Sequence, residues 1–194
     1  MRIGLDVAQH QLLWPELAER VQFAESAGFD GAWVFDHFTP LYGDRNGPCM
    51  EAWTLLAGLA ALTSRLRLGV LVTGITYRPP SILATEAITV DHISNGRLEL
   101  GLGAAWHQPE HEELGIPFPP LKERAERLEE GAQVIRLVMT KDRASPADLD
   151  RCRRRAADVA DRRSPGRRLA CLRLRRFAGP QVTTPRSAGG KGRT

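Results

Sequence analysis

About the first 140 residues predict an α/β fold with a parallel sheet. Three observations carry this expectation. Short apolar runs alternate with stretches of helical period, Pro and Gly fall at the boundaries between them, and the long connections follow strands while the short ones precede them.

Residues 2–7 read as a short buried strand. Trp14-Pro15-Glu16 then opens a helix: proline is tolerated in a first turn, where its missing N–H has no partner to lose, and the glutamate faces the positive end of the helix dipole. Leu17, Val21, Ala24 and Ala27 supply its apolar stripe, and Gly28 stops it. The same grammar repeats with a strand at 31–35, a helix at 50–62, a strand at 66–72 and a helix at 80–93 that starts on Pro79-Pro80. Ser94-Asn95-Gly96 makes a turn into a strand at 97–102. A helix at 121–138 follows, with Leu128, Ala132, Ile135 and Val138 on one face.

Strands alternating with helices require right-handed crossovers, which leaves a doubly wound sheet or a TIM (β/α)8 barrel with about four units present. In either, ligands gather at the C-terminal ends of the strands. The long loops 36–49, 73–79 and 103–120 lie there and mark the functional face.

Past Thr140 this grammar stops. Residues 1–140 carry about 11 Lys and Arg against about 18 Asp and Glu, whereas 141–194 carry about 16 against about 5. The overall charge of +4 therefore averages an acidic front and a basic tail. Arg151-Cys152-Arg153-Arg154-Arg155 and Arg173-Leu174-Arg175-Arg176 interrupt the apolar runs, and no fifth strand is legible. Arginine is used almost to the exclusion of lysine there, as in a GC-rich coding sequence read out of frame. The expected division is thus a half barrel over 1–140 and a disordered or frameshifted tail over 141–194 that the barrel pattern does not continue, whose charge would allow nonspecific nucleic-acid contact. Cys49, Cys152 and Cys171 have no paired spacing, which argues against a disulfide framework or a thiolate zinc site. No apolar run is long enough to span a bilayer, and the expectation is a cytoplasmic protein.

Asp36 and His37 emerge directly after the second strand, where polar groups are costly unless used. An aspartate there can accept a hydrogen bond from a cofactor and an imidazole can move a proton near neutral pH; the bland alternative is a loop cap and a structural histidine. Thr73 and Gly74 end the third strand, where a hydroxyl and a missing side chain would let a planar ring approach the backbone. Gly101 to His107 ends the fourth with small residues that expose backbone N–H groups, but Trp106 stands where a dinucleotide fingerprint needs its last glycine. His107-Gln108-Pro109-Glu110-His111 matches a zinc-peptidase pattern, H-x-x-E-H. Pro109 belongs in a first helical turn, which leaves His107 outside the helix that both ligands would need, so no metal site is expected.

The ordered set DHF at 36–38, LRLGVLVTGITYRPP at 66–80, ISNGRLELGLGAAWHQPEHEELGIPFPP at 93–120 and ERAERLEE at 123–130 resembles the luciferase-like monooxygenase superfamily, in its F420-dependent oxidoreductase branch. The resemblance implies a TIM barrel, commonly dimeric, that binds the deazaflavin coenzyme F420 or FMN at the strand ends and acts on a small organic substrate. It implies hydride transfer between F420 and that substrate, or an FMN-dependent monooxygenase; an inactive barrel fragment is the reading from a different class. Carried over, Asp36 would contact the deazaflavin and His37 would stand beside it as the catalytic proton donor. Thr73 and Gly74 would meet the ring where relatives often hold a cis non-proline peptide, and Ala104, Ala105 and Trp106 would line the cofactor after the fourth strand. Trp106 replaces the catalytic Glu of sugar-phosphate-oxidising relatives, so that substrate is not transferred. The family's phosphate-binding loops would fall after residue 140.

Overall fold

A computed structural model describes residues 1–140 and the backbone of 170–172. The elements run β1 (Gly4–Asp6), α1 (Trp14–Ser26), β2 (Gly31–Val34), α2 (Ala52–Leu62), β3 (Arg67–Gly74), α3 (Pro80–Ile93), β4 (Leu98–Gly103), α4 (Gln108–Glu113), α5 (Leu121–Thr140) and β5 (Ala170–Leu172). The first four strands pair in parallel in chain order, as successive strands of a barrel wall do.

Four strand–helix units thus form as the periodicity predicts, with differences that have local causes. Ala27 lies outside the buried stripe of Leu17, Val21 and Ala24, because it caps α1 just before Gly28 turns the chain at φ +89°. The short helix α4 sits inside the predicted 103–120 loop: its six residues are polar except for Pro109, which takes the first turn, and they are too few to show a period. No fifth strand is expected past residue 140, yet Ala170–Leu172 pairs antiparallel with β4. Three residues between Leu169 and Arg173 are too few to show an alternating pattern. Apart from that strand, the expected tail at 141–194 and its domain division lie outside the described residues.

Side chains alternate across the sheet. Ala32, Val34, Leu68, Val70, Leu98, Leu100 and Leu102 are buried and share one core cluster with Leu17, Val21, Leu56, Leu59, Leu83, Ala87 and Ile135 of the helices. On the opposite face, Trp33 lies over Gly4 and Gly69, positions where any Cβ would strike its indole. Arg67 and Glu99 form an ion pair on the same parity of β3 and β4. Leu71 on β3 is 58% exposed, and the peptide joining it to Val72 is cis.

At the base of the sheet Arg97, entering β4, donates to the carbonyls of Ala60, Thr63, Leu66 and Ser94 and to the Thr63 hydroxyl, over 2.6–2.8 Å. Two of these carbonyls belong to the C-terminal turn and cap of α2, where the helix leaves acceptors unpaired and favours a cation.

Candidate active site at the strand C-terminal ends

The ends of β2, β3 and β4 come together through the register. Thr73 pairs with Leu102 and Gly74 with Gly103, after a shift in the ladder between Val70 and Thr73. A Cβ on Gly74 would lie 2.7 Å from the Tyr77 ring, so glycine is what lets the loop fold back over the strand end. Gly74 N–H donates to Asp36 Oδ2 at 3.2 Å, tying the end of β3 to the residues after β2.

Asp36 is 3% exposed, and Arg78 grips it bidentately, with Nη1 to Oδ2 at 2.8 Å and Nη2 to Oδ1 at 3.0 Å. The same guanidinium reaches Glu51 at 2.5 Å and Glu86 at 3.3 Å. Three carboxylates surround one cation. Burial therefore wins at Asp36, pushing its carboxyl above the usual range despite Arg78, and it raises Glu86 as well. Burial also opposes the charge on Glu51, but the N–H groups of Thr54 and Trp53, which it accepts as N-cap of α2, hold it below the usual range with help from Arg78.

His37 stands beside this cluster with its side chain 12% exposed. Its Nδ1 lies 2.9 Å from Glu110 Oε2, while the Trp106 and His107 rings meet the imidazole edge-on at centroid distances of 5.7 and 5.6 Å. Glu110 is fully buried in α4. Its Oε1 accepts from the N–H of Phe38 at 2.7 Å, the N–H of Thr39 at 3.0 Å and the Thr39 hydroxyl at 3.1 Å; its Oε2 also accepts from the Tyr77 hydroxyl. Burial alone would raise this carboxyl, but the hydrogen bonds from His37, Tyr77, Phe38 and Thr39 outweigh it and hold the pKa at about 2. Burial and the bond to Glu110 in turn drive the Tyr77 phenol well up.

The H-x-x-E-H motif does not converge on a metal. His107 is the N-cap of α4 and Pro109 lies in its first turn, as the sequence predicts, while His111 spends both nitrogens inside the protein, on Thr76 Oγ1 at 2.7 Å and the His107 carbonyl at 2.8 Å. A different trio, His37, His107 and Glu110, brings ligand atoms within 4.8 Å of one another. Its carboxylate already accepts five hydrogen bonds, so a cation would have to displace donors that hold the loop.

Thr73 is fully buried and its hydroxyl has no hydrogen-bond partner. Ala105 adopts φ +61°, a left-handed conformation that an alanine holds only when its surroundings enforce it. Arg124 of α5 supplies that restraint. It is held over the Phe118 ring at 4.0 Å and donates to the Ala104, Ala105 and Pro119 carbonyls. Trp106 is 66% exposed at the rim.

All seven sequence-selected residues, Asp36, His37, Thr73, Gly74, Ala104, Ala105 and Trp106, thus stand at the strand C-terminal ends. The structure adds Gln9, Arg78, Glu110, Tyr77 and Arg124. Fully buried Gln9 bridges the chain after β1 to Phe35 and Met50 through three hydrogen bonds of 2.9–3.0 Å. Arg78 had a visible signal, a charge in a strand-end loop just before Pro79-Pro80, and Glu110 drew notice only as part of a zinc pattern.

A parallel strand–helix wall with its polar groups gathered at the strand C-terminal ends fits the TIM-barrel class. Within that class the chain belongs to the luciferase-like monooxygenase family, whose model matches residues 2–178, beyond the charge break at residue 140. It is similar to an F420-dependent glucose-6-phosphate dehydrogenase of Amycolatopsis mediterranei, 33% identical over 144 residues, which are 73% of this chain and 43% of the relative. It is also similar to the pyrimidine monooxygenase RutA of Pseudomonas syringae pv. syringae, 41% identical over 124 residues, 60% of this chain and 33% of the relative. Among solved structures, an F420-dependent secondary alcohol dehydrogenase in complex with an F420-acetone adduct superposes with TM-score 0.67 at 27% identity, over 74% of this chain and 43% of the other. The chain spans less than half the length of these relatives. Among the described residues no helix is long and apolar enough to cross a membrane.

Proposed function

We propose that this chain forms the ring-facing half of an oxidoreductase that transfers a hydride between coenzyme F420 and a small organic substrate. The observation that carries the reading is Thr73: a fully buried hydroxyl with no hydrogen-bond partner, at the end of β3 where the strand-end loops gather. The residues present fit a deazaflavin ring. When bound, that ring supplies the redox chemistry, exchanging a hydride at its C5 carbon. In this reading Thr73 bonds a polar atom of the ring, Gly74 sets the strand end, and Ala104 and Ala105 border the ring. His37 moves the accompanying proton, and Trp106 walls the substrate side. Asp36, its oxygens taken by Arg78 and Gly74 N–H, acts on the ring by fixing the strand end rather than by touching it.

Arg78 is committed to carboxylates and Arg124 to carbonyls and the Phe118 ring, while half-exposed Arg45 pairs with Glu113. In this reading the cofactor phosphate is left to loops beyond residue 140, as the family resemblance implies. The similarity to RutA favours a second reading, an FMN-dependent monooxygenase on the same mouth. Parallel titrations with F420 and FMN, followed by absorbance and fluorescence, test both. Saturable binding of F420 at lower concentration than FMN is the expected result; preference for FMN supports the second reading, and no binding of either supports an inactive half barrel.

A further inference from the structure

We infer that Glu110 is a positioning residue that fixes the tautomer of His37, so that the neutral imidazole carries its proton on Nδ1 and presents Nε2 to the mouth as a proton acceptor. The inference rests on the reading of His37 as the group that moves the proton.

The argument follows from counting donors and acceptors. Glu110 Oε1 is occupied by three donors from Phe38 and Thr39, so only Oε2 faces the ring. A carboxylate held at about 2 is ionised at neutral pH and accepts only. The 2.9 Å contact therefore requires a hydrogen on Nδ1, and in the neutral ring Nε2 is left with a lone pair. Nε2 has no hydrogen-bond partner among the described residues, and the His37 side chain keeps 12% of its surface exposed while Nδ1 is turned to buried Glu110. Trp106 and His107 flank the ring edge-on, which leaves the imidazole little freedom to flip. Glu110 thereby does for His37 what a buried carboxylate does for a catalytic histidine elsewhere: it orients the ring and selects the nitrogen that works. A histidine set in this way takes a proton from a substrate O–H or N–H through Nε2 when the substrate is oxidised and returns it through the same nitrogen in the reverse direction. The donor role that the resemblance implies for His37 would use the same Nε2 in the protonated ring.

Substitution gives a sharp consequence. In Glu110→Gln the two backbone N–H groups of Phe38 and Thr39 demand an acceptor, so the amide oxygen takes the Oε1 place and the NH2 faces His37. An NH2 there donates to Nδ1 and drives the ring hydrogen to Nε2. Tyr77→Phe removes only the second donor to Oε2 and leaves the His37 bond in place.

The test is the long-range ¹H–¹⁵N imidazole spectrum of the full chain without cofactor, recorded in alkaline buffer, with His37→Gln identifying the signals. The expected result is a protonated Nδ1 and a lone pair on Nε2 in the wild type and in Tyr77→Phe, and the reverse in Glu110→Gln. A wild-type ring protonated at Nε2 overturns the inference, and so does a folded Glu110→Gln that keeps the wild-type tautomer. Should Glu110→Gln fail to fold, the wild-type and Tyr77→Phe spectra still decide. F420 titration of the same samples separates the two layers: absence of binding defeats the cofactor reading whatever the tautomer, while binding with the wrong tautomer defeats only the role of Glu110.

Discussion

Each end of the sheet carries a largely buried arginine, and the two are used in opposite ways. At the base, Arg97 meets neutral oxygens, five of them, and closes the exposed end of α2 onto β4. At the mouth, Arg78 meets three carboxylates and leaves the local charge unbalanced. The first arrangement satisfies every group it touches and serves stability. The second keeps Asp36 and Glu86 shifted toward their neutral forms and, with a threonine hydroxyl left unpartnered nearby, holds a region short of its own optimum. That asymmetry is the one expected of a barrel of this family, with stability at one end and the proposed chemistry at the other.

The largest effect should come from the base. Arg97→Ala strands several acceptors and removes the α2 cap, for an expected loss of about 3 to 4 kcal/mol in denaturant unfolding. A loss below about 1 kcal/mol would mean that water replaces the arginine and that the base is not the stabilising end.

At the mouth, Arg78→Gln should lower stability by about 2 kcal/mol at neutral pH, less than the usual loss on breaking a buried pair. Asp36 can escape by taking a proton, since its folded-state carboxyl already lies above the usual range. With the cation gone that carboxyl rises further. The sign follows: the deficit should grow as pH rises through the new folded-state value and shrink in acid. A deficit that is flat with pH would show that Asp36 does not carry the charge of the cluster.

Glu110 supplies the opposite slope. Its folded-state pKa of about 2 lies below the ordinary 4.5, so its contribution is fully present above 4.5 and is lost as pH falls toward 2. Thermal melts across that window should show the wild type losing stability in acid and Glu110→Gln losing less. A smaller effect is expected at Cys49, whose thiol burial and nearby Glu110 push up to about 11. Iodoacetamide should modify it more slowly at neutral pH than it modifies a free thiol in a peptide.

Much of this arrangement could be read from the chain, because its cues are local. Pro15, Gly28, Pro79-Pro80 and Asn95-Gly96 punctuate the units within a few residues of the boundaries they set, and β2, β3 and β4 carry enough branched and aliphatic residues to show as strands. The choice of Asp36, His37, Thr73 and Gly74 followed from their place at strand ends. What remained hidden is nonlocal. The partners of Asp36 lie 38 and 42 residues away, and the Glu110 bonds to Phe38 and Thr39 span 72 and 71. No period or spacing encodes such pairs; they appear only once β2, β3 and α4 meet at the mouth. Arg124 was hidden for a further reason: on a helix of mixed charge, a cation over Phe118 reads the same as one in water.

The most direct test of the mouth as a deazaflavin site is the F420 affinity of the full chain with and without the Thr73 hydroxyl. Thr73→Val keeps the shape and removes an unpartnered buried oxygen, so its stability should match or exceed that of the wild type. If the hydroxyl serves the ring, the wild type binds F420 saturably at micromolar concentration and Thr73→Val binds about tenfold more weakly, the equivalent of one lost hydrogen bond. Equal affinity in the two proteins, or no binding by the wild type, would contradict the account.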